Sequence, residues 1–163
     1  MFNGFTKFFN TSLFRILMNC YPMFFGTGGK ILHISKDWKE VKLRLGRNIW
    51  TYNFVGTTFG GSMFAAADPF YMLMLFHILG KKEYVVWDKS ASIKFIAPGK
   101  TKLYADLALT DAEITSIKEA VKNNGFTLLD KTIEWKDKDD KIYASISRTV
   151  YIASKEYYAN RKK

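Results

Sequence analysis

From Val85 onward, apolar and polar residues alternate along the chain. Val85, Trp87, Ala91, Ile93 and Phe95 fall on one side of an extended backbone, with Asp88, Ser90, Ser92 and Lys94 on the other. This predicts a strand over 84–97 with one buried face. The same period marks Val41, Leu43 and Leu45 against Lys42 and Arg44. With the apolar run Ile31–Ile34 and the Lys36-Asp37 turn, it predicts a hairpin over 30–46. Leu103, Ala105, Leu107 and Leu109 form a further half-buried strand after the Pro98-Gly99 turn, and two last strands near 126–135 and 142–152 flank the charged turn KDKDDK.

Elsewhere the period is helical. Over 5–18, Phe5, Phe8, Phe9, Leu13, Leu17 and Phe14 share one broad face, predicting an amphipathic first helix within 1–20 that packs against the core. Tyr21-Pro22 and the run GTGG end it. Thr110-x-x-Glu113 is a capping box opening a short helix with Ile114, Ile117 and Val121 inward, closed at Asn124-Gly125. Residues 61–79 are apolar on nearly every side apart from Asp68 and His77, so that helix must be surrounded by protein or lipid. Asp68-Pro69 near its middle argues against a membrane span, and the helix is read as wrapped by the sheet. Strands and helices segregate without βαβ alternation, which is an α+β class.

Composition agrees with one domain over 1–163: the chain is 48% apolar and 25% charged with 3 prolines. The 17% aromatic content suits a bulky core or a flat-walled apolar pocket. Cys20 is the single cysteine, which excludes an internal disulfide and points to a reducing, cytoplasmic setting. His33 and His77 lie far apart without metal-ligand spacing, so no metal is expected. The 5–18 segment lacks the basic start, apolar centre and cleavage site of a secretory signal.

The formal charge is +10, and the excess is N-terminal: residues 1–99 hold 12 Lys/Arg against 5 Asp/Glu. Such a field attracts nucleic acid, anionic membrane or a phosphorylated group such as coenzyme A. Nucleic acid is discounted, because neither a recognition helix nor clustered arginines are present. The Phe-rich start and the basic end (Arg161, Lys162, Lys163) keep a membrane surface among the candidate partners.

Residues 53–69 read NFVGTTFGGSMFAAADP. This resembles the signature of the hotdog-fold, PaaI-like acyl-CoA thioesterases, with Asn53, Gly56, Gly60, Gly61 and Asp68 at matching positions and Phe59 where that family has histidine. The longer pattern, YNFVGTTFGGS, ADPFYMLML, YVVWDKSASIKF and a Pro-Gly turn, is closer to an uncharacterised domain-of-unknown-function branch of the same superfamily, over nearly the whole chain. The resemblance implies a hotdog fold, in which an antiparallel sheet wraps one long helix. It further implies a homodimer or dimer of dimers with the site at the subunit interface.

It also implies a thioester hydrolase acting on acyl-CoA or acyl-carrier thioesters, with coenzyme A as part of the substrate and no separate cofactor. Gly60 and Gly61 would offer backbone N–H groups to a thioester carbonyl gaining negative charge, or simply allow close packing. Asp68 would act as nucleophile or general base, or, followed by proline, cap a restarted helix. Asn53 would orient water or the acyl carbonyl, or hold a turn. Phe59, Phe64, Phe70 and Met72 are the expected acyl-chain lining, and Arg47, Lys81, Lys82 and Lys89 the expected phosphate partners. Because Phe59 offers no donor, a non-catalytic acyl-thioester or lipid-binding protein is the alternative.

Overall fold

The computed structural model of the chain describes residues 10–49 and 51–161; Phe5, Phe8, Phe9, Lys162 and Lys163 lie outside them. Its strands are β1 (Gly29–Ile34), β2 (Glu40–Leu45), β3 (Tyr84–Phe95), β4 (Leu103–Ala108), β5 (Phe126–Lys136) and β6 (Ile142–Ser154). They form one antiparallel six-stranded sheet in the order β1-β2-β4-β5-β6-β3. The helices are α1 (Thr11–Cys20), α2 (Pro22–Phe25), α3 (Gly60–Ala65), α4 (Phe70–Leu79), α5 (Asp111–Asn124) and α6 (Lys155–Asn160).

Alternation explains which side of the sheet is buried. Val41, Leu43 and Leu45 face the core beside their partners Leu107, Ala105 and Leu103, and Ala144, Ile146, Val150 and Ile152 do the same along β6. Against this face lie Met63, Phe70, Tyr71, Met74 and Leu75 from α3 and α4, so the apolar helix is covered by the sheet as its pattern demanded. Gly60–Leu79 is long and apolar enough to cross a membrane, yet half of that segment is buried inside the fold. The capping box at Thr110 forms with both hydrogen bonds, and Gly125 closes α5 in the left-handed region at φ 79°.

Three expectations change. The predicted single helix 61–79 is broken into α3 and α4. Pro69 has no N–H to donate, and Ala67 and Asp68 instead bond back three residues, to Phe64 O and Ala65 O at 3.2 and 3.3 Å. That tightening leaves the Met63 carbonyl to a partner outside the helix. Buried Trp135 of β5 supplies it, donating Nε1–H at 2.7 Å.

The first helix also presents a different face. Phe14 and Met18 pack on the core, whereas Leu13, Ile16 and Leu17 are 42%, 54% and 50% exposed. Side-chain hydrogen bonds to β1 choose this orientation: Asn19 bonds both N–H and C=O of Ile31, and Arg15 donates to Leu32 O.

The third change is in β3. A bulge at Lys89 shifts the register so that Asp88 pairs Val150 while Ser90 pairs Thr149. Side chains on either side of the bulge therefore swap faces. Asp88 turns inward, Trp87 turns outward onto Tyr151, and Ala91 and Phe95 lie on the helix side yet stay exposed, because β3 is a free edge of the sheet.

Candidate active site

The loop before α3 is built on Asn53. Its backbone N–H donates to Thr57 O, its side-chain oxygen accepts from the N–H groups of Val55 and Thr57, and its amide donates to Thr57 Oγ1. Gly56 sits in this turn at φ 73°, a conformation suited to glycine. Asn53 thus holds the turn with both ends of its amide. Phe59 N–H donates to Thr51 O at 2.7 Å, and Thr58 bonds Gly99 O through N–H and hydroxyl, which fixes the loop to the Pro98-Gly99 turn.

Helix α3 starts at Gly60 with Phe59 in the cap position, and no side chain caps it. Ser62 N–H bonds back to Phe59 O at 3.0 Å, and the N–H groups of Gly60 and Gly61 have no side-chain cap. Packing uses the glycines as well. A Cβ on Gly60 would approach the Phe95 ring to 2.6 Å, and one on Gly61 would strike the Phe59 ring. Between this helix start and the end of β3 lies a pocket of about 590 Å³. Asn53, Thr57, Thr58, Gly60 and Met63 form one wall, and Phe95, Ile96, Pro98, Gly99 and Lys100 the other.

Asp68 stands at the break between α3 and α4. It caps neither helix: α4 has Pro69 at its cap with no side-chain bond. Its carboxylate instead accepts from Arg148 Nη2 at 2.7 Å. Arg148 projects from β6 with a wholly buried side chain, and its Nη1 lies 2.7 Å from Asp88 Oδ2. Two carboxylates thus share one guanidinium; Asp68 is 54% exposed and Asp88 23%. Burial raises the Asp88 carboxyl above its ordinary range, and the charge of Arg148 opposes that rise. Asp68 does not line the pocket at Gly60: it lies eight positions further along the chain, beyond the end of α3.

The other candidate residues scatter. Phe70 is a core residue, 1% exposed and edge-on to Phe24, so the expected acyl lining is corrected there. Phe64 and Met72 are partly buried, Phe64 with its ring 5.7 Å from the Arg148 guanidinium, and neither lines the pocket. Phe59 is 54% exposed over Gly61. Arg47 is tied to its own loop, bonding Gly56 O at 3.0 Å and lying over the Tyr52 ring. Lys81 and Lys82 follow the C-terminal end of α4, far from the helix start, and Lys89 is exposed at the β3 bulge. Lys100, outside the candidates the sequence offers, is the cation on the pocket wall. His77 stacks on Trp38 at 3.6 Å, apart from these groups. Among the described residues no three of His, Cys, Asp and Glu gather into a metal-binding group.

Arg148 likewise stands outside those candidates. Its signal was present, since an arginine at an inward position of the alternating strand Ala144, Ile146, Arg148, Val150, Ile152 requires a buried anion.

This sheet and helix form the hotdog fold of thioesterase-superfamily proteins. Residues 10–152 match the family described as a domain of unknown function, DUF4442, and the chain belongs to that family. A Pseudomonas aeruginosa protein of unknown function, described as a probable thioesterase, superposes with TM-score 0.77 at 17% identity, over 90% of this chain and 97% of its own. A thioesterase from Haemophilus influenzae superposes with TM-score 0.64 at 14% identity, over 91% and 93%. Thioesterase superfamily member 2 from Mus musculus does so with TM-score 0.60 at 14% identity, over 86% and 96%. No curated protein matches the chain.

Proposed function

We propose that the protein is a thioester hydrolase acting on acyl-CoA or acyl-carrier thioesters. The observation that carries this reading is the pocket at the uncapped start of α3. There, Gly60 at the helix start adjoins an apolar wall of Met63, Phe95 and Ile96, with Lys100 at the rim for a phosphate. A thioester carbonyl at Gly60 would gain negative charge against that backbone N–H, and its acyl chain would follow the apolar wall.

The nucleophile or general base is Asp68, and one chain does not bring it to that pocket. A homodimer in which the site is completed across subunits meets this need. Its support is the unpaired edge of β3, flanked by exposed Phe95 and Ile96 and by the loop residues Phe54 and Val55. The test is hydrolysis of a chain-length panel of acyl-CoA thioesters by the purified protein, with Asp68→Asn beside it. Turnover by the wild type, lowered by about 10²–10⁴-fold in the variant, is expected. Absence of turnover across the panel defeats the proposal. Tight acyl-CoA binding without turnover would favour the non-catalytic reading, to which donor-less Phe59 lends weight.

A further inference from the structure

The outward stripe of α1 carries a second inference. Leu13, Ile16, Leu17 and Cys20 recur at the three- and four-residue spacing of one helix face, and all are exposed. The apolar surface continues through Tyr21, Met23 and Phe25, which are 52%, 74% and 67% exposed. The helix is not free to roll this face inward. Asn19 bonds Ile31 on both its N–H and C=O, Arg15 bonds Leu32 O, and Phe14 and Met18 are packed on the core.

The sheet order places this surface at the edge opposite β3. Self-association along β3 therefore leaves it uncovered. Residues 1–40 contain Lys7, Arg15, Lys30, Lys36 and Lys39 against Asp37 and Glu40, so this end of the chain carries a net positive charge. An exposed apolar helix face in a region of net positive charge matches a surface that is greasy below and negative above. We infer that the α1–α2 face docks the protein onto anionic membrane surfaces, with Ile16, Leu17, Met23 and Phe25 entering the headgroup–acyl boundary. A second copy of the chain would offer the same positive charge and would be repelled by it.

The experiment is co-sedimentation of the full chain with phosphatidylglycerol/phosphatidylcholine vesicles and with phosphatidylcholine vesicles, at low and high salt. Two double variants accompany it, Ile16→Gln with Leu17→Gln and Met23→Gln with Phe25→Gln. Circular dichroism and gel filtration monitor each; the positions are exposed, so the fold should be retained. Expected are binding to the anionic vesicles, weakening in high salt, and affinity on the order of tenfold lower in each double variant. The inference is overturned if the wild type stays in the supernatant at low salt. It is equally overturned if both double variants bind as well as the wild type, or if they lose a dimer in gel filtration while keeping vesicle binding.

Discussion

Arg148 Nη2 lies 2.7 Å from Asp68 Oδ1, joining a side chain with no exposed surface to a carboxylate that is half exposed. Because the same guanidinium also meets Asp88, the two ends of this bridge differ in what their loss would do. Replacing Arg148 by Met leaves Asp88 partly buried without its cation, and should destabilise the fold by about 3 kcal/mol, measured by urea unfolding. Asp68→Asn leaves Arg148 paired with Asp88 and removes a carboxylate that water already reaches. Its cost should be about 1 kcal/mol or less. Activity lost in Asp68→Asn would therefore report on chemistry, whereas activity lost in Arg148→Met would report first on folding. Adding Asp88→Asn to Arg148→Met should recover part of the stability, since the stranded charge is gone.

Trp135 makes a second long-range tie to the broken helix. Its Nε1–H to the Met63 carbonyl serves an acceptor that the tightened turn before Pro69 does not use. Trp135→Phe preserves most of the apolar volume and strands that carbonyl in the core. A loss of about 1–3 kcal/mol in urea unfolding is expected. A near-neutral result would mean that the turn relaxes to restore its own hydrogen bond.

The helix break shows how far the sequence could be read. An Asp-Pro pair inside an apolar run announces a disturbance, and either a cap or a kink satisfies it locally. The choice depends on Arg148 and Trp135, which arrive from strands 80 and 72 residues away in sequence. The strands themselves were legible wherever alternation survives, as at Val41, Leu43 and Leu45. In β3 one bulged residue, Lys89, exchanges the faces, so a pattern counted through it puts Asp88 on the wrong side. The face of α1 is not legible in this way, because hydrophobicity favours packing Leu13 and Leu17, while polar Asn19 and Arg15 hold the helix the other way. The motif loop was readable by resemblance. The distance between Gly60 and Asp68 was not, since spacing along a chain does not say whether one or two subunits complete a site.

His77 should make stability depend on pH. Its ring is stacked on Trp38, its Nδ1 is 2.8 Å from Leu73 O, and burial holds its pKa below the ordinary 6.5, with Lys81 adding to the effect. Above 6.5 the ring is neutral in both folded and unfolded chains, and stability is at its full value. As pH falls below 6.5 the unfolded chain takes up the proton first, and stability declines until the folded ring also protonates. The slope should not exceed about 1.4 kcal/mol per pH unit from this group. Urea unfolding between neutral and mildly acidic pH should show the decline, and His77→Phe should flatten it. An unchanged slope in His77→Phe would assign the dependence to other groups.

Phe59 offers a direct test of the proposed hydrolysis. Its ring rests on Gly61 at the start of α3, more than half exposed, and it offers no hydrogen-bond donor toward the pocket that begins at Gly60. An imidazole there is smaller, keeps the backbone bond to Thr51 O and brings an N–H beside the first-turn donors. Removing one donor from such a site typically costs about 10²–10³-fold in turnover, so adding one at an imperfect position should raise hydrolysis by about tenfold. Phe59→His should thus increase kcat toward acyl-CoA with little change in stability, and Asp68→Asn in that background should abolish the gain. If the single variant shows no turnover while acyl-CoA still binds, a donor at position 59 is not what limits hydrolysis, the pocket is a binding site, and Asp68 serves Arg148.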